Sequence, residues 1–510
     1  MSPIELGILI SRVEAICNEM GVVLRQAAFS PNIKDRLDLS CALFDCRGAL
    51  FAQAAHIPVH LGSMAYAMAD IVDGVDWSEG DVLALNDPYL GGTHLPDVTL
   101  VSPLFVDGNI VAFVANRAHH ANIGAESPGS MPLSTSLEEE GLIIPPTLIV
   151  RKGQVVHEEM ERLSGIEGAD MAGDFAAQMS ANRVGLDRLA HLVNKLGKNQ
   201  FLSGIDEIND YGERLARNTL KEIPEGNWQF TDYMDDDGCG TEDVAIHVSV
   251  EVSAHGIKVD FTGTADEVRG NINCPLSVAA AAVFYGFRCL LPDHTPACAG
   301  TFKFVELHAP EGCLVNARRP AAVVAGNVET SMRIVDTVLG ALAQALPDKI
   351  PAASQGTMNN IAMGNHQSNR PWDYYETVAG GMGAHGAGDG LSAVQSHMTN
   401  TLNTPIESLE MHYPLRIREY SVRRDSGGNG RYHGGNGLVR EFEFLESAAV
   451  TLITERRRHA PWGLAHGTAG KPGMNWLDGR ALPGKCQLSV RVGQVLRVET
   501  PGGGGFGGIF

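Results

Sequence analysis

Residues 93–120 read THLPDVTLVSPLFVDGNIVAFVANRAHH. Two apolar runs flank Asp107-Gly108, a pair that takes up the positive φ angles of a two-residue type I′ turn. The stretch therefore predicts a β-hairpin. A hairpin brings the residues before its first arm close to those after its second: His94 and Asp97 on one side, His119 and His120 on the other. Two imidazoles and a carboxylate are donors suited to zinc, manganese or iron. Adjacent strand residues face opposite ways, so only one of His119 and His120 is expected to reach a shared ion. A plainer reading also stands. Asn86-Asp87-Pro88 and Gly91-Gly92 are turn formers, and a capped loop with one His closing a strand and the other solvated accounts for the same residues.

Working outward, residues 3–28 carry apolar side chains mostly three and four apart, an amphipathic helix. Asp38, in the loop after that helix, is a candidate for completing the site. Asp45 is a weaker rival, because FDCRG within SCALFDCRGALFAQ reads as a hairpin turn. LGSMAYAMADIV predicts a second helix and DVLALND a strand; residues 168–220 are helical. From about residue 226 the pattern turns to alternating strands, with apolar helices at PLSVAAAAVFYGFRCLL and SMRIVDTVLGALAQAL. Beyond 350 the chain is rich in glycine and short strands. The expected fold is mixed α/β (α+β), multidomain and Gly-rich, with several β-sheets and packed helices. Three domains are expected: 1–225 holding the metal site, a 226–350 α/β middle domain, and a β-rich 351–510 domain.

Composition narrows the function. A length of 510 residues is too much for one core. A net charge of -21 and a pI near 5.3 argue against nucleic acid as a partner. Nine cysteines without a CxxC suggest neither a disulfide framework nor a thiolate zinc cluster. No leader opens the chain and no apolar run reaches the roughly 18 residues of a membrane span, so a reduced cytoplasm is the expected home. GGMGAHGAGDG and TPGGGGFGG resemble phosphate loops only in glycine content. The first lacks the strand and helix that frame such a loop, and neither GxxxxGK[ST] nor GxSxG occurs. ERRRHAPWG, residues 455–463, reads as a solvated basic turn or a subunit contact.

The stretches DRLDLSCALFD, QAAHIPVHLGSM, NDPYLGGTHLPDVTLVSPLF, NRAHHANIG, EEGLIIPP, GNINCPLSVAAAA, AGNVETS, SHMTNTLNTPIESLE, RRDSGGNGRYHGGNG, TERRRHAPWG and TPGGGGFG run in order from residue 35 onward. Together they resemble the hydantoinase B/oxoprolinase family. The resemblance implies one subunit, or one half of a fused chain, of ATP-dependent enzymes that open small cyclic amides: hydantoins, 5-oxoproline or lactams. It implies a hetero-oligomer in which a hydantoinase A-type partner binds ATP with Mg and phosphorylates the amide oxygen. It also implies a divalent metal (Zn, Mn or Fe) in this chain, on His94 and Asp97 of THLPD and His119 of RAHH, with Asp38 of RLDLS as fourth ligand and His120 as the alternative to His119. Glu140 of EEEGLIIPP is the expected catalytic carboxylate, with stabilisation of a loop as its other reading. The chain ends soon after its last glycine run, where relatives are expected to have a longer tail. It also lacks the extra length of the acetone carboxylase counterpart, which disfavours the alternative of a ketone carboxylase subunit. A non-catalytic structural subunit is the other alternative.

Overall fold

The computed structural model describes residues 1–54, 57–60, 62–165 and 171–508. Ala55, His56 and Leu61 of QAAHIPVHLGSM, the first residues of the expected 168–220 helical stretch, and the last two residues lie outside that set. The fold is mixed α/β, as expected, with several sheets and packed helices. No helix among the described residues is long and apolar enough to cross a membrane.

Two compact units form. The first comprises Met1–Ile123, Leu142–Glu222 and Phe287–Glu306; the second comprises Gly124–Gly141, Ile223–Gly286 and Leu307–Phe510. The 226–350 and 351–510 domains are a proposed finer division, whose residues fall largely within the second unit.

The first unit is built on seven strands: β1 (Leu39–Asp45), β2 (Leu50–Gln53), β3 (Val82–Leu85), β4 (Asp97–Val106), β5 (Asn109–His119), β6 (Thr147–Arg151) and β7 (Gln154–Val155). They lie in the order β2-β1-β5-β4-β3-β6-β7, each pair antiparallel. The β4–β5 hairpin turns on Asp107 and Gly108, both at positive φ (52° and 75°), as a type I′ turn requires.

Helices cover both faces of this sheet. Leu39, Cys41 and Leu43 of β1 with Val114 and Ala118 of β5 pack against the helices Pro3–Ala27 and Met171–Leu196. Ala42, Phe44, Phe113 and Ala115 point the other way, onto Met64, Met68 and Ile71 of the helix Ser63–Gly74. Double coverage is why the central strands read as continuous apolar runs. The helix Pro3–Ala27 starts where Ser2 and Glu5 form a reciprocal capping box. The helical stretch after residue 170 is two helices, Met171–Leu196 and Lys198–Leu220, parted by Gly197 at φ +84°.

The second unit holds the antiparallel run of Gly226–Asp236, Glu242–Ser253 and Gly256–Asp260, together with a four-stranded and a five-stranded sheet beyond residue 350. Two of its features correct or refine the sequence reading. ERRRHAPWG is not a solvated turn: Arg456 is fully buried between Asp232 (2.8 Å) and Asp336 (2.6 Å). The glycine runs pack on one another's backbone. Gly435 N donates to Met382 O (2.8 Å) and Gly503 N to Gly435 O (2.9 Å). A Cβ on Gly381 would meet Gly435 O at 2.0 Å, and one on Gly503 would meet Met382 O at 1.9 Å, so glycine is required by close approach rather than by a ligand.

This packing makes a direct prediction. Gly503→Ala should lose at least about 3 kcal/mol in denaturant unfolding, because backbone and not a flexible side chain must move. Gly74→Ala, whose Cβ meets nothing within 4 Å, should stay within about 0.5 kcal/mol of the parent.

Candidate metal centre

Strand register assembles the site. Asp97 opens β4 directly opposite His119, the last residue of β5, and His119 N donates to Asp38 O (3.1 Å) just before β1 begins. The loop before β4 contributes its part through Gly91, whose φ of +87° closes the turn after Asp87. Asp97 N then donates to His94 O (3.1 Å), which folds THLPD back on itself.

Asp97 is the hub. Its Oδ1 lies 3.2 Å from His94 Nε2 and 3.2 Å from His119 Nδ1; its Oδ2 lies 3.3 Å from His60 Nε2 and accepts from Thr93 Oγ1 at 2.5 Å. The His94 and His119 rings sit 5.0 Å apart. Asp38 Oδ2 is 4.0 Å from His119 Nδ1. All of these side chains are buried, His94 and Asp97 to 1% exposure.

Burial alone would raise the Asp97 carboxyl. The charge of His94 and the hydrogen bonds of His119 and His60 overcome it and hold the carboxyl well below the usual carboxylate range. Burial also lowers His60, against the pull of Asp97. Arg117 lies on the same face of β5, where it donates to Thr99 Oγ1 and Ser63 Oγ (both 2.8 Å), and burial pushes it down to about 10.

These donors fit one divalent ion. His94, Asp97 and His119 each offer an atom within 4.8 Å of the others, and so do Asp38, His60 and Asp97. Two atoms each about 2.1 Å from an ion, at angles of roughly 90–110°, lie about 3.0–3.4 Å apart. The 3.2 Å separations at Asp97 Oδ1 match that chord. Two imidazoles and a carboxylate are donors of the kind that suit zinc, manganese or iron.

The paired histidines part company. His119 faces the Asp97 side of the sheet with Arg117 and Ala115. His120 turns to the opposite face, where its Nε2 lies 3.0 Å from Gln178 Oε1 and its ring packs on Phe175. Gln178 continues to Val98 O and Asn116 Oδ1 (both 2.9 Å), tying His120 into the contact between sheet and helix. Asp45 caps its own hairpin, accepting from the amides of Arg47 and Ala49 (both 2.8 Å). Glu140 lies in the second unit, where its Oε1 accepts from Ser134 Oγ and the amides of Val323 and Val324 at 2.8–2.9 Å.

His60 is the residue that sequence reasoning missed. It belongs to no hairpin and lies far from His94 in the chain. Its only sequence signal was its place in QAAHIPVHLGSM. Ser40 Oγ, at the start of β1, holds His60 Nδ1 at 2.8 Å and accepts from Ile57 N at 3.3 Å, which fixes the segment against the sheet.

Known proteins resemble the chain along its whole length. The family model described as hydantoinase B/oxoprolinase matches residues 2–509. An uncharacterized protein of Methanocaldococcus jannaschii, MJ0963, is 38% identical over 99% of this chain and 91% of its own length. The 5-oxoprolinase 1 of Arabidopsis thaliana is also 38% identical over 99% of this chain, but the chain spans only 42% of that protein. The crystal structure of an ATP-dependent caprolactamase from Pseudomonas jessenii superposes with a TM-score of 0.93 at 28% identity, covering 100% of this chain and 91% of that one.

Metal analysis of purified variants tests the site. His94→Ala, Asp97→Ala and His119→Ala should each lose most of the ion, whereas His120→Ala should keep it. His60→Ala should weaken metal affinity about 10–100-fold, because Asp97 loses the partner that orients its Oδ2.

Proposed function

The chain belongs to the hydantoinase B/oxoprolinase family, and from that premise we propose that it is the metal-binding catalytic subunit of an ATP-dependent cyclic-amide hydrolase that opens hydantoin, 5-oxoproline or lactam rings. The observation that carries this reading is the buried group around Asp97, with His94 and His119 each 3.2 Å from one oxygen, in a chain matched to the family from residue 2 to residue 509. The name of the caprolactamase supports a cyclic amide as substrate and ATP as co-substrate.

An unstrained amide is a poor electrophile. Phosphorylation of its oxygen by ATP activates the ring carbon: one water adds there and the C–N bond breaks, the nitrogen leaving with a proton and an acyl phosphate remaining, and a second water then displaces phosphate to give the carboxylate. We assign the phosphorylation to a hydantoinase A-type partner in a cytoplasmic hetero-oligomer. The relatives support that division: this unit fills most of the archaeal protein and 42% of the plant protein, so it occurs both alone and joined to further sequence. The absence of GxxxxGK[ST] from the 510 residues agrees with ATP and Mg being held elsewhere.

Within this chain, His94, Asp97 and His119 would hold a Zn, Mn or Fe ion, with Asp38 beside them. Such an ion, when bound, supplies a Lewis acid and a water of lowered pKa. The protein's own part is positional. His60 and Thr93 fix Asp97 Oδ2 so that Oδ1 stays turned to both imidazoles, and burial excludes bulk water from the donors. Glu140 is kept as a proposed proton-handling residue of the reaction. Its bonds to Val323 and Val324 equally suit a brace for that backbone. Glu140→Gln should lower turnover with metal content unchanged; full turnover would leave it the brace alone.

Calorimetric titration of the isolated chain with Mg-ATP should show no binding, and a micromolar dissociation constant would overturn the two-subunit reading. Reconstituted with an A-type partner and offered a panel of cyclic amides, the complex should release phosphate only when a ring substrate is present. His94→Ala in the same complex should stop ring opening. Ring opening that survives removal of the metal would make this chain a structural subunit, and bicarbonate-dependent consumption of a ketone would make it part of a carboxylase.

A further inference from the structure

A cavity of about 890 Å³ opens in the first unit, between the helices Pro3–Ala27 and Lys198–Leu220, the end of β2 and the segment 288–297. It shares no lining residue with the Asp97 group. Its size suits a small organic molecule.

Three features of its wall point to a ligand. Arg288 lines it half-buried: its Nη1 is sealed from solvent and has no hydrogen-bond partner among the described residues, and its Nη2 donates to Asp293 O at 3.5 Å. Glu14 lines the same cavity. Each residue feels the other's charge and burial opposes both, yet they form no ion pair. The wall also carries apolar side chains, Leu6 and Ile10 on the first helix and Ala54 at the end of β2, beside polar ones such as Ser11, Asn18 and Tyr211. The third feature is Gly7. It stands in a helix interior, where glycine costs roughly 1 kcal/mol against alanine, and a Cβ there would meet nothing within 4 Å. No packing contact requires a glycine at that position, and it faces the cavity.

We propose that this cavity binds a small zwitterionic amino acid, with its carboxylate on Arg288, its ammonium on Glu14 and its methylenes along Leu6 and Ile10. A guanidinium held by one 3.5 Å hydrogen bond to a backbone carbonyl is a group that takes a carboxylate well, by two parallel hydrogen bonds once its side chain turns to the cavity. A molecule with only one charged end would leave the other half-buried charge without a partner. Hydrolysis of a lactam or of 5-oxoproline frees a carboxylate and an amine on the same molecule, so reading the ligand as that ring-opened product class rests on the proposed function. The binding site itself does not.

The test uses the full chain, freed of metal by chelation and without ATP, so that a failed hydrolase reading and a failed binding reading give different results. Titration with 6-aminohexanoate and with glutamate should show saturable binding of at least one, and hexanoate and hexylamine should bind at least about tenfold more weakly. Arg288→Gln and Glu14→Gln should each weaken binding about tenfold or more. Gly7→Phe should abolish it by filling the cavity, while Gly7→Ala, with its open surroundings, should leave it unchanged. Absence of saturable binding by both amino acids, undiminished binding in Gly7→Phe, or loss of binding in His94→Ala would overturn the proposal.

Discussion

A carboxylate with no water around it must be surrounded by donors, and Asp97, at 1% exposure, sets that requirement at the first residue of β4. Its two oxygens divide the work: Oδ1 faces His94 and His119, while Oδ2 takes Thr93 and His60. Meeting the demand needs three separate segments. The THLPD loop must fold back, β5 must end in register with the start of β4, and the segment before the helix Ser63–Gly74 must be held to β1 by Ser40. Satisfying one buried charge thus shapes the local architecture of the sheet's end. The same crowding of imidazoles on a fixed carboxylate sets nitrogen and oxygen donors within 4.8 Å of one another.

Much of this was legible in the sequence because it rests on short-range rules. Asp107-Gly108 dictates the hairpin, and strand parity then separates His119 from His120. Odd-numbered residues of β5, Phe113, Ala115, Arg117 and His119, share the face toward Ser63–Gly74. Even-numbered Asn116 and Ala118, with His120 just after the strand, turn to Met171–Leu196. Asp38 was singled out by its place just before the first strand, and its Oδ2 lies 4.0 Å from His119 Nδ1. His60 was not found, because its contact with Asp97 depends on how a later segment docks on β1, and no periodicity encodes docking. Glu140 was singled out by its motif, and the motif alone does not distinguish a carboxylate that moves a proton from one that binds the amides of Val323 and Val324.

The basic run at 456–458 shows where composition misleads. Three consecutive arginines read as surface, yet Arg456 is sealed between Asp232 and Asp336, and Arg333 adds a contact to Glu455 at 3.2 Å. The partners come from three regions of sequence, so charge patterning within any one window could not reveal the pairing. Glu329 shows the cost of such burial: beside Glu455 and away from water, its carboxyl is pushed up to about 8, while Met358 N and Asn360 Nδ2 donate to its Oε1.

The interlocked glycine runs have a consequence for how the chain comes into being on the ribosome. The first unit needs no residue beyond Glu306, whereas the backbone around Gly381 and Gly435 gains its partners only when the 501–504 run has emerged. At translation rates of about 5–20 residues per second, the roughly 200 residues between those points take about 10–40 s. During that interval the first unit can already be folded, while carbonyls such as that of Gly435 await Gly503. The chain order thus lets the first unit close before the second has all the backbone partners its glycine runs require.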